Sequence, residues 1–126
     1  MNTVEPIRNK KAIKEIENIL EKQGQRDLLI FLIGINCGLR ISDILNLNVG
    51  DVKNKIYIDI IEKKTKKPKR FPINTKLKPL FEKFTKGRCD KEPLFLSIFD
   101  NRMERTQCYR IINKACKKAG IPDKIG

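Results

Sequence analysis

Apolar residues recur at helical spacing through the first third of the chain. Isoleucine and leucine return at positions 13, 16, 19 and 20, with Asn9 as the predicted N-cap and Gly24 as the stop. A second helix, from Gln25 to Cys37, is apolar on nearly every side, which predicts a central buried helix. Gly38 ends this helix, and Ser42 is the predicted N-cap of a short third helix.

The apolar pattern then changes from a helical period to alternation. Ile56, Ile58 and Ile60 occupy every second position, which is typical of a strand. A second extended segment, Pro68 to Ile73, contains Pro72, which confines it to a sheet edge or a strand end. The two segments together predict an antiparallel β-hairpin.

Two more helices follow the predicted hairpin. Asn74 is the predicted cap of a helix with apolar residues at 77, 80, 81 and 84, and a short apolar run begins at Leu94. Thr106 is the predicted N-cap of the last helix, which points Tyr109 and Ile112 inward and ends at Gly120. We therefore predict a mixed fold, mainly α with a small antiparallel β-hairpin, in one domain over residues 1–126, with residues 1–8 as a lead-in to a domain over 9–126.

Charge narrows the choice of partner. The 126 residues include 28 Lys and Arg against 15 Asp and Glu, and the net charge of +13 favours a polyanion such as nucleic acid. The alternative is a basic protein from a lysine-rich proteome. With no histidine and no C-x-x-C pair among four cysteines, we expect neither a metal site nor a cofactor. Cys37 and Cys116 lie in apolar runs. No signal peptide or membrane span is recognisable, so we expect a cytoplasmic protein without membrane contact.

Two features of the chain indicate a possible binding site for an anion. The stretch Glu62 to Arg70 holds six basic residues and one acid, and phosphates would relieve the repulsion within it. The alternative is a solvated turn whose lysines keep a sheet edge from aggregating. Arg40 lies among apolar residues in the stretch GLRISDILNL. Either Asp43 forms a surface ion pair with Arg40, or Arg40 binds an anion that the chain does not supply.

These residues carry a family resemblance. GLRISDILNL, followed by a strand, KKTKKPKRFPI and a helix, resembles the catalytic domain of the tyrosine recombinase (phage integrase) family. The first arginine motif of that family, Gly-Leu-Arg-x-Ser-Glu/Asp-x-x-x-Leu, is present in full from Gly38 to Leu47. By the register of the hairpin, the catalytic lysine of the family falls on Lys64, with Lys63 as a one-residue alternative. The resemblance covers about residues 25–126.

The resemblance implies a site-specific recombinase that breaks and rejoins DNA through a 3′-phosphotyrosyl bond, without metal or ATP. It implies that Arg40 binds the non-bridging phosphate oxygens, that Asp43 aims Arg40, and that Lys64 donates a proton to the departing 5′-oxygen. The remaining basic residues of the hairpin would hold the DNA backbone: Lys66, Lys67, Lys69 and Arg70.

The start of the last helix is a candidate for reading bases. Arg105, Gln107 and Arg110 project from its first turns, and Thr106 at its N-cap would leave free N–H groups for a phosphate. Arginine can pair with guanine and glutamine with adenine in the major groove, and the resemblance agrees with this placement. The alternative is an ordinary capped surface helix.

The rest of the family pattern is missing from the sequence. A His-x-x-Arg box, a further His or Trp and the nucleophilic tyrosine should follow, but the chain has no histidine and ends at Gly126. Neither of its two tyrosines, Tyr57 and Tyr109, occupies the position of the nucleophile. We therefore expect a truncated catalytic domain that binds DNA but is inactive alone.

Two other interpretations stay open. One is a non-catalytic basic DNA-binding module that competes with a full-length recombinase. The other, an RNA-binding protein, is disfavoured because few aromatic residues are available for stacking on bases. The expected partners are double-stranded DNA and full-length recombinase protomers in a synaptic complex, and the fragment itself is expected to be a monomer.

Overall fold

The computed structural model describes residues 10–120. It contains five α-helices, one 3-10 turn and one two-stranded sheet, in the order α1 (Lys10–Gln23), α2 (Gln25–Cys37), α3 (Ile41–Leu45), the 3-10 turn (Val49–Asp51), β1 (Tyr57–Ile61), β2 (Pro68–Pro72), α4 (Leu77–Thr85) and α5 (Arg105–Lys118). The mixed, mainly helical fold with an antiparallel hairpin is confirmed. The predicted N-cap Asn9, the lead-in 1–8 and the end of the chain lie outside the described residues, so the predicted extent of the domain stays a prediction.

Helix α2 is the centre of the hydrophobic core, as predicted. Its residues from Asp27 to Ile33 are all buried, and helices α1, α3, α4 and α5 pack around it. Gly38 caps its C-terminus with φ of 67°, a left-handed conformation that glycine adopts without steric cost, and its N–H donates to the carbonyl of Gly34.

Helix α3 begins earlier than predicted, so the assignment of Ser42 as its N-cap is wrong. The N-cap is Arg40, whose backbone is extended (φ −70°, ψ 149°), and Ser42 lies inside the helix. The neighbouring Leu39 is buried in the core. Because Leu39 is held there directly after the cap of α2, only one extended residue separates it from the first turn of α3.

The hairpin pairs β1 with β2 in an antiparallel register that sets Asp59 opposite Arg70. Ile58 is fully buried, and Ile60 and Phe71 pack against the core from the same face. Ile56 differs from its predicted place in the alternation because it precedes β1 and is 68% exposed. The edge position predicted for Pro72 is confirmed, because the sheet has only two strands and Pro72 ends β2.

Helix α4 is attached by polar contacts at its start. The N-cap of α4 is Lys76 rather than the predicted Asn74. The side-chain oxygen of Asn74 accepts hydrogen bonds from the backbone N–H groups of Lys76 and Leu77, in the turn that leads into α4. The Lys76 ammonium donates to both carboxylate oxygens of the buried Glu17 at 2.9 and 3.1 Å, which ties the start of α4 to α1.

The start of α5 also corrects a prediction. Its N-cap is Glu104, with an extended backbone (φ −90°, ψ 150°), and Thr106 is the second residue of the helix. Met103 and Cys108 are both buried, and the N–H of Cys108 donates to the carbonyl of Glu104. Burying these two side chains fixes the rotation of the chain, and the helix therefore begins at Arg105.

The structure also describes the state of the cysteines and the lengths of the helices. None of the four cysteines forms a disulfide, and Cys116 is buried while Cys37 is half-buried. Burial raises the pKa of the Cys108 thiol to about 11. Within residues 10–120, no helix has the length and apolar content that crossing a membrane requires.

Candidate nucleic-acid interface

Arg40 is exposed on the short connection between the cap of α2 and the first turn of α3. Within residues 10–120 its guanidinium makes neither an ion pair nor a hydrogen bond. The backbone beneath it is rigid, because the N–H groups of Asp43 and Ile44 both donate to the Arg40 carbonyl at 3.0 Å. Arg40 therefore presents a free cation from a fixed support.

The Asp43 carboxylate forms no ion pair with the Arg40 guanidinium within residues 10–120, so the surface ion pair, one of the two alternatives from the sequence, is wrong. Asp43 is only 4% exposed, and its Oδ1 accepts a hydrogen bond from the backbone N–H of Lys63 at 3.1 Å. Arg40 is the N-cap and Asp43 the third residue of the same helix. The Asp43 carboxylate is directed to the base of the hairpin turn.

The hairpin turn, residues 62–67, is closed by its own hydrogen bonds. Glu62 donates its N–H to the Lys67 carbonyl and accepts at its own carbonyl from the Lys66 N–H, both at 2.9 Å. The Thr65 hydroxyl donates to the Glu62 carboxylate at 3.0 Å. Lys66 has φ of 61°, a left-handed conformation that is uncommon outside glycine, so the turn is a defined structure with side chains projecting from it.

A single cleft of about 960 Å³ brings the predicted catalytic residues together. Arg40 and Asp43 lie on its wall with both candidate lysines, Lys63 and Lys64. Arg105 from the first turn of α5 lines the same cleft. The floor is apolar and consists of side chains from α2, α3, α5 and the α2–α3 connection: Ile30, Phe31, Ile35, Leu39, Ile41, Ile44 and Ile112. Four cations thus line one concave site, which can bind a phosphate group.

The other basic residues of the hairpin lie outside this cleft. Lys66, Lys67 and Lys69 are exposed, as a backbone-binding role requires. Arg70 is already engaged: it donates two hydrogen bonds to Asp59, at 2.7 and 3.2 Å, and its guanidinium lies 4.7 Å from the ring centre of Tyr57. These hydrogen bonds hold the pKa of the Asp59 carboxyl below its usual value.

The predicted base-reading residues are separated by the fold. Arg105 faces the cleft, whereas Thr106, Gln107 and Arg110 do not line it. Arg110 and Thr106 are exposed and Gln107 is half-buried. The start of α5 therefore divides into one residue that lines the cleft and three that do not.

Sequence reasoning missed Tyr109 as a residue of the site. It was predicted to point into the core, but it is half-buried and lines the cleft with Arg40 and Lys64. Helical spacing gave a partial signal, because Cys108 and Ile112, four residues apart, fill the inner face of α5 and leave Tyr109 at its border. Within residues 10–120, no group of three or more metal-binding side chains lies close enough together to hold a metal ion.

Comparisons with known proteins identify the family of the chain. The family model of the phage integrase family matches residues 8–126. The chain belongs to the phage integrase family. A probable integrase/recombinase of Bacillus subtilis, YoeC, is 39% identical over 127 residues, which cover 100% of this chain and 70% of the relative. A tyrosine recombinase of Pseudothermotoga lettingae is 31% identical, over 98% of this chain and 48% of its own length.

Solved structures of the family share the fold. The XerA recombinase superposes with a TM-score of 0.77 at 20% identity, over 97% of this chain and 46% of that protein. A lambda integrase bound to DNA superposes with a TM-score of 0.76 at 16% identity, over 98% of this chain and 46% of that protein. The chain thus has the fold of a tyrosine recombinase catalytic domain and spans about half the length of these two structures.

Proposed function

We propose that this chain binds duplex DNA through the cleft and forms part of the catalytic apparatus of a site-specific tyrosine recombinase. The observation that carries the proposal is the convergence of Arg40, Lys63, Lys64 and Arg105 on one cleft in a member of the phage integrase family. A net charge of +13 gives the whole molecule affinity for a polyanion. The cleft concentrates four of the cations at one site.

In this proposal Arg40 binds the scissile phosphate. A guanidinium on a rigid turn donates two hydrogen bonds to the non-bridging oxygens, which gain charge in the transition state. Since Arg40 has no ion pair within residues 10–120, it need not break one in order to bind DNA. A lysine at this place would supply the charge without the paired geometry.

Lys64 is the proposed general acid, with Lys63 as the alternative. Both line the cleft together with Arg40, and both are exposed. Donating a proton to the 5′-oxygen makes it a better leaving group when a tyrosine attacks the phosphorus. Lys66, Lys67, Lys69 and Arg70 contact neighbouring phosphates, while Arg105, Thr106, Gln107 and Arg110 lie against the DNA at the start of α5.

The proposed partners are double-stranded DNA and further recombinase protomers. Solved relatives include a lambda integrase dimer bound to a core site and a lambda integrase tetramer bound to a Holliday junction. We propose that this chain assembles likewise with further recombinase protomers on DNA.

A titration of fluorescent duplex DNA at several salt concentrations tests the binding proposal. With ~5 phosphate contacts, we expect the logarithm of the association constant to fall with the logarithm of salt concentration at a slope of roughly −4 to −5. Comparable or tighter binding to single-stranded RNA, or a slope near zero, would contradict the proposal.

A nicked suicide substrate tests the catalytic part. We expect the chain alone to form no protein–DNA adduct that survives denaturing electrophoresis. An adduct would contradict this expectation and would implicate Tyr109, which lines the cleft, before Tyr57, which lies under Arg70 on the hairpin. Tyr109→Phe with Tyr57→Phe as the matched control would identify the attacking residue.

A further inference from the structure

Two hydrogen bonds connect the backbone of Arg40 to that of the catalytic hairpin. The Asp43 N–H donates to the Arg40 carbonyl at 3.0 Å, and Asp43 Oδ1 accepts from the Lys63 N–H at 3.1 Å. Lys64 is the next residue along the chain. Arg40 and Lys64, two cations that line the cleft, are thereby joined through one buried aspartate.

The Lys63 N–H donates no hydrogen bond to a backbone carbonyl of the hairpin. Bonds between Ile56 and Ile73 and between Glu62 and Lys67 flank the ladder. Along a strand of an antiparallel pair, successive residues direct their backbone N–H and C=O groups to opposite sides. The backbone groups of the odd-numbered β1 residues therefore point away from β2. Lys63 is also odd-numbered, and its N–H points to the same side. Asp43 approaches from this side. Its buried carboxylate needs a donor, and the Lys63 N–H needs an acceptor.

We propose that Asp43 is a positioning residue that holds the hairpin at a set distance from Arg40, rather than a charge partner for Arg40. This inference rests on the proposed function of the cleft. The turn 62–67 is closed by its own hydrogen bonds, so it moves as a unit and carries Lys64 with it. A displacement of about 1 Å between catalytic groups is enough to cost roughly 10²-fold in rate, which makes such a link consequential.

Hydrogen exchange of the Lys63 amide in the free protein tests the link without DNA. Asp43→Ala removes the acceptor, and we expect the Lys63 amide to exchange roughly 10- to 100-fold faster. Asp43→Asn keeps an oxygen acceptor but loses the charge, and we expect exchange within about 5-fold of the parent. If Asn accelerates exchange as much as Ala, or if neither changes it, the proposal is overturned.

A second pair of variants removes the donor and leaves α3 intact, in case Asp43→Ala does not fold. Lys63→Pro deletes the N–H at the first central position of the turn, where proline is well accommodated, and Lys63→Ala is its matched control. We expect lower backbone order parameters at residues 64–66 in Lys63→Pro than in Lys63→Ala. Equal order parameters would overturn the proposal.

The rate of Lys64 acetylation, measured with and without a 20-base-pair duplex, tests whether the hydrogen bond from Lys63 to Asp43 affects the position of Lys64 on DNA. We expect DNA to protect Lys64 in the parent and in Asp43→Asn, and to protect it at least threefold less in Asp43→Ala. If the parent fails to bind duplex DNA, the proposed function fails while the exchange results still decide the hydrogen-bond link. If it binds but Asp43→Ala keeps full protection, the positioning role is overturned.

Discussion

Five of the arginines that the structure describes form two groups according to what their guanidinium groups contact. Arg26, Arg88 and Arg102 donate to backbone carbonyls at loops and at the end of α3. Arg40 and Arg105 are exposed and line the cleft. Positive charge alone does not separate these groups, and only the second has cations available for an anionic ligand.

Replacing Arg102 should therefore cost stability. It donates to the carbonyls of Leu45 and Leu47 at 2.8 and 3.1 Å and to Asn48 Oδ1 at 2.6 Å. Arg102→Ala leaves these acceptors without the donor, and we expect the free energy of unfolding in urea to fall by about 1–3 kcal/mol. The exposed Arg110→Ala is the control, with a change within about 0.5 kcal/mol. Equal effects would show that Arg102 is not a structural residue.

Replacing Arg40 should instead affect DNA binding. We expect Arg40→Ala to weaken duplex affinity by about 10-fold or more and to reduce the salt slope by about 0.9, because one charge-assisted contact is lost. Arg40→Lys should restore the slope but less than half of the lost affinity in logarithmic terms, because lysine cannot donate two parallel hydrogen bonds.

Lys78, exposed on α4 and outside the cleft, provides the control for Arg40. Lys78→Ala should leave affinity within about twofold of the parent. Full recovery by Arg40→Lys would mean that Arg40 contributes only its charge.

The sequence predicted the position of Arg40 but not its surroundings. The motif from Gly38 to Leu47 pointed to Arg40 and Asp43 as functional, and three-residue spacing suggested a pair. The partner of Asp43 is 20 residues away in the chain. Local spacing contains no information about such a contact, because it depends on where the hairpin returns to α3.

At the scale of elements, apolar periodicity was sufficient for the long helices and the strands. Helix α2 has the predicted bounds, Gln25–Cys37, since glycines flank it and its residues are almost all apolar. The N-caps of α3 and α5 were wrong for one shared reason. Ser42 and Thr106 are good capping residues, but buried side chains, Leu39 in one case and Met103 with Cys108 in the other, determine where these helices begin.

The hairpin is the element expected to dominate the contact with phosphates. Reversing three exposed charges with Lys66→Glu, Lys67→Glu and Lys69→Glu should reduce the steepness of the salt dependence by roughly 3. A triple variant of Lys114, Lys117 and Lys118 to Glu on α5 has the same net charge and serves as the control. An equal loss in both variants would mean that overall charge, rather than the hairpin, determines binding.

The start of α5 is the element expected to read bases. In a selection from randomised duplexes, Gln107→Ala or Arg105→Ala should relax the preference at one or two base pairs by about 1–3 kcal/mol each. The salt slope should stay nearly unchanged for Gln107→Ala and fall only a little for Arg105→Ala. Lys114→Ala, farther along the helix, is the control. Recovery of one common motif from all three variants would argue that α5 is a scaffold only.

At the scale of the whole molecule, the proposed function places the DNA on one side of the fold. The cleft and the hairpin turn share Lys63 and Lys64, and Arg105 brings the start of α5 to the same site. Helix α4 contributes no residue to the lining of the cleft, although it has exposed lysines of its own. A ligand attracted by net charge alone would not distinguish these two surfaces.

The most direct test of this account is a nuclear magnetic resonance titration of the ¹⁵N-labelled chain with a 20-base-pair duplex. The account predicts that the largest amide shift changes occur around Arg40, residues 62–67 and the start of α5, while the exposed face of α4 changes little. Changes of equal size on α4, or changes that leave Arg40 and the hairpin turn untouched, would contradict the claim that the cleft is the DNA-binding site.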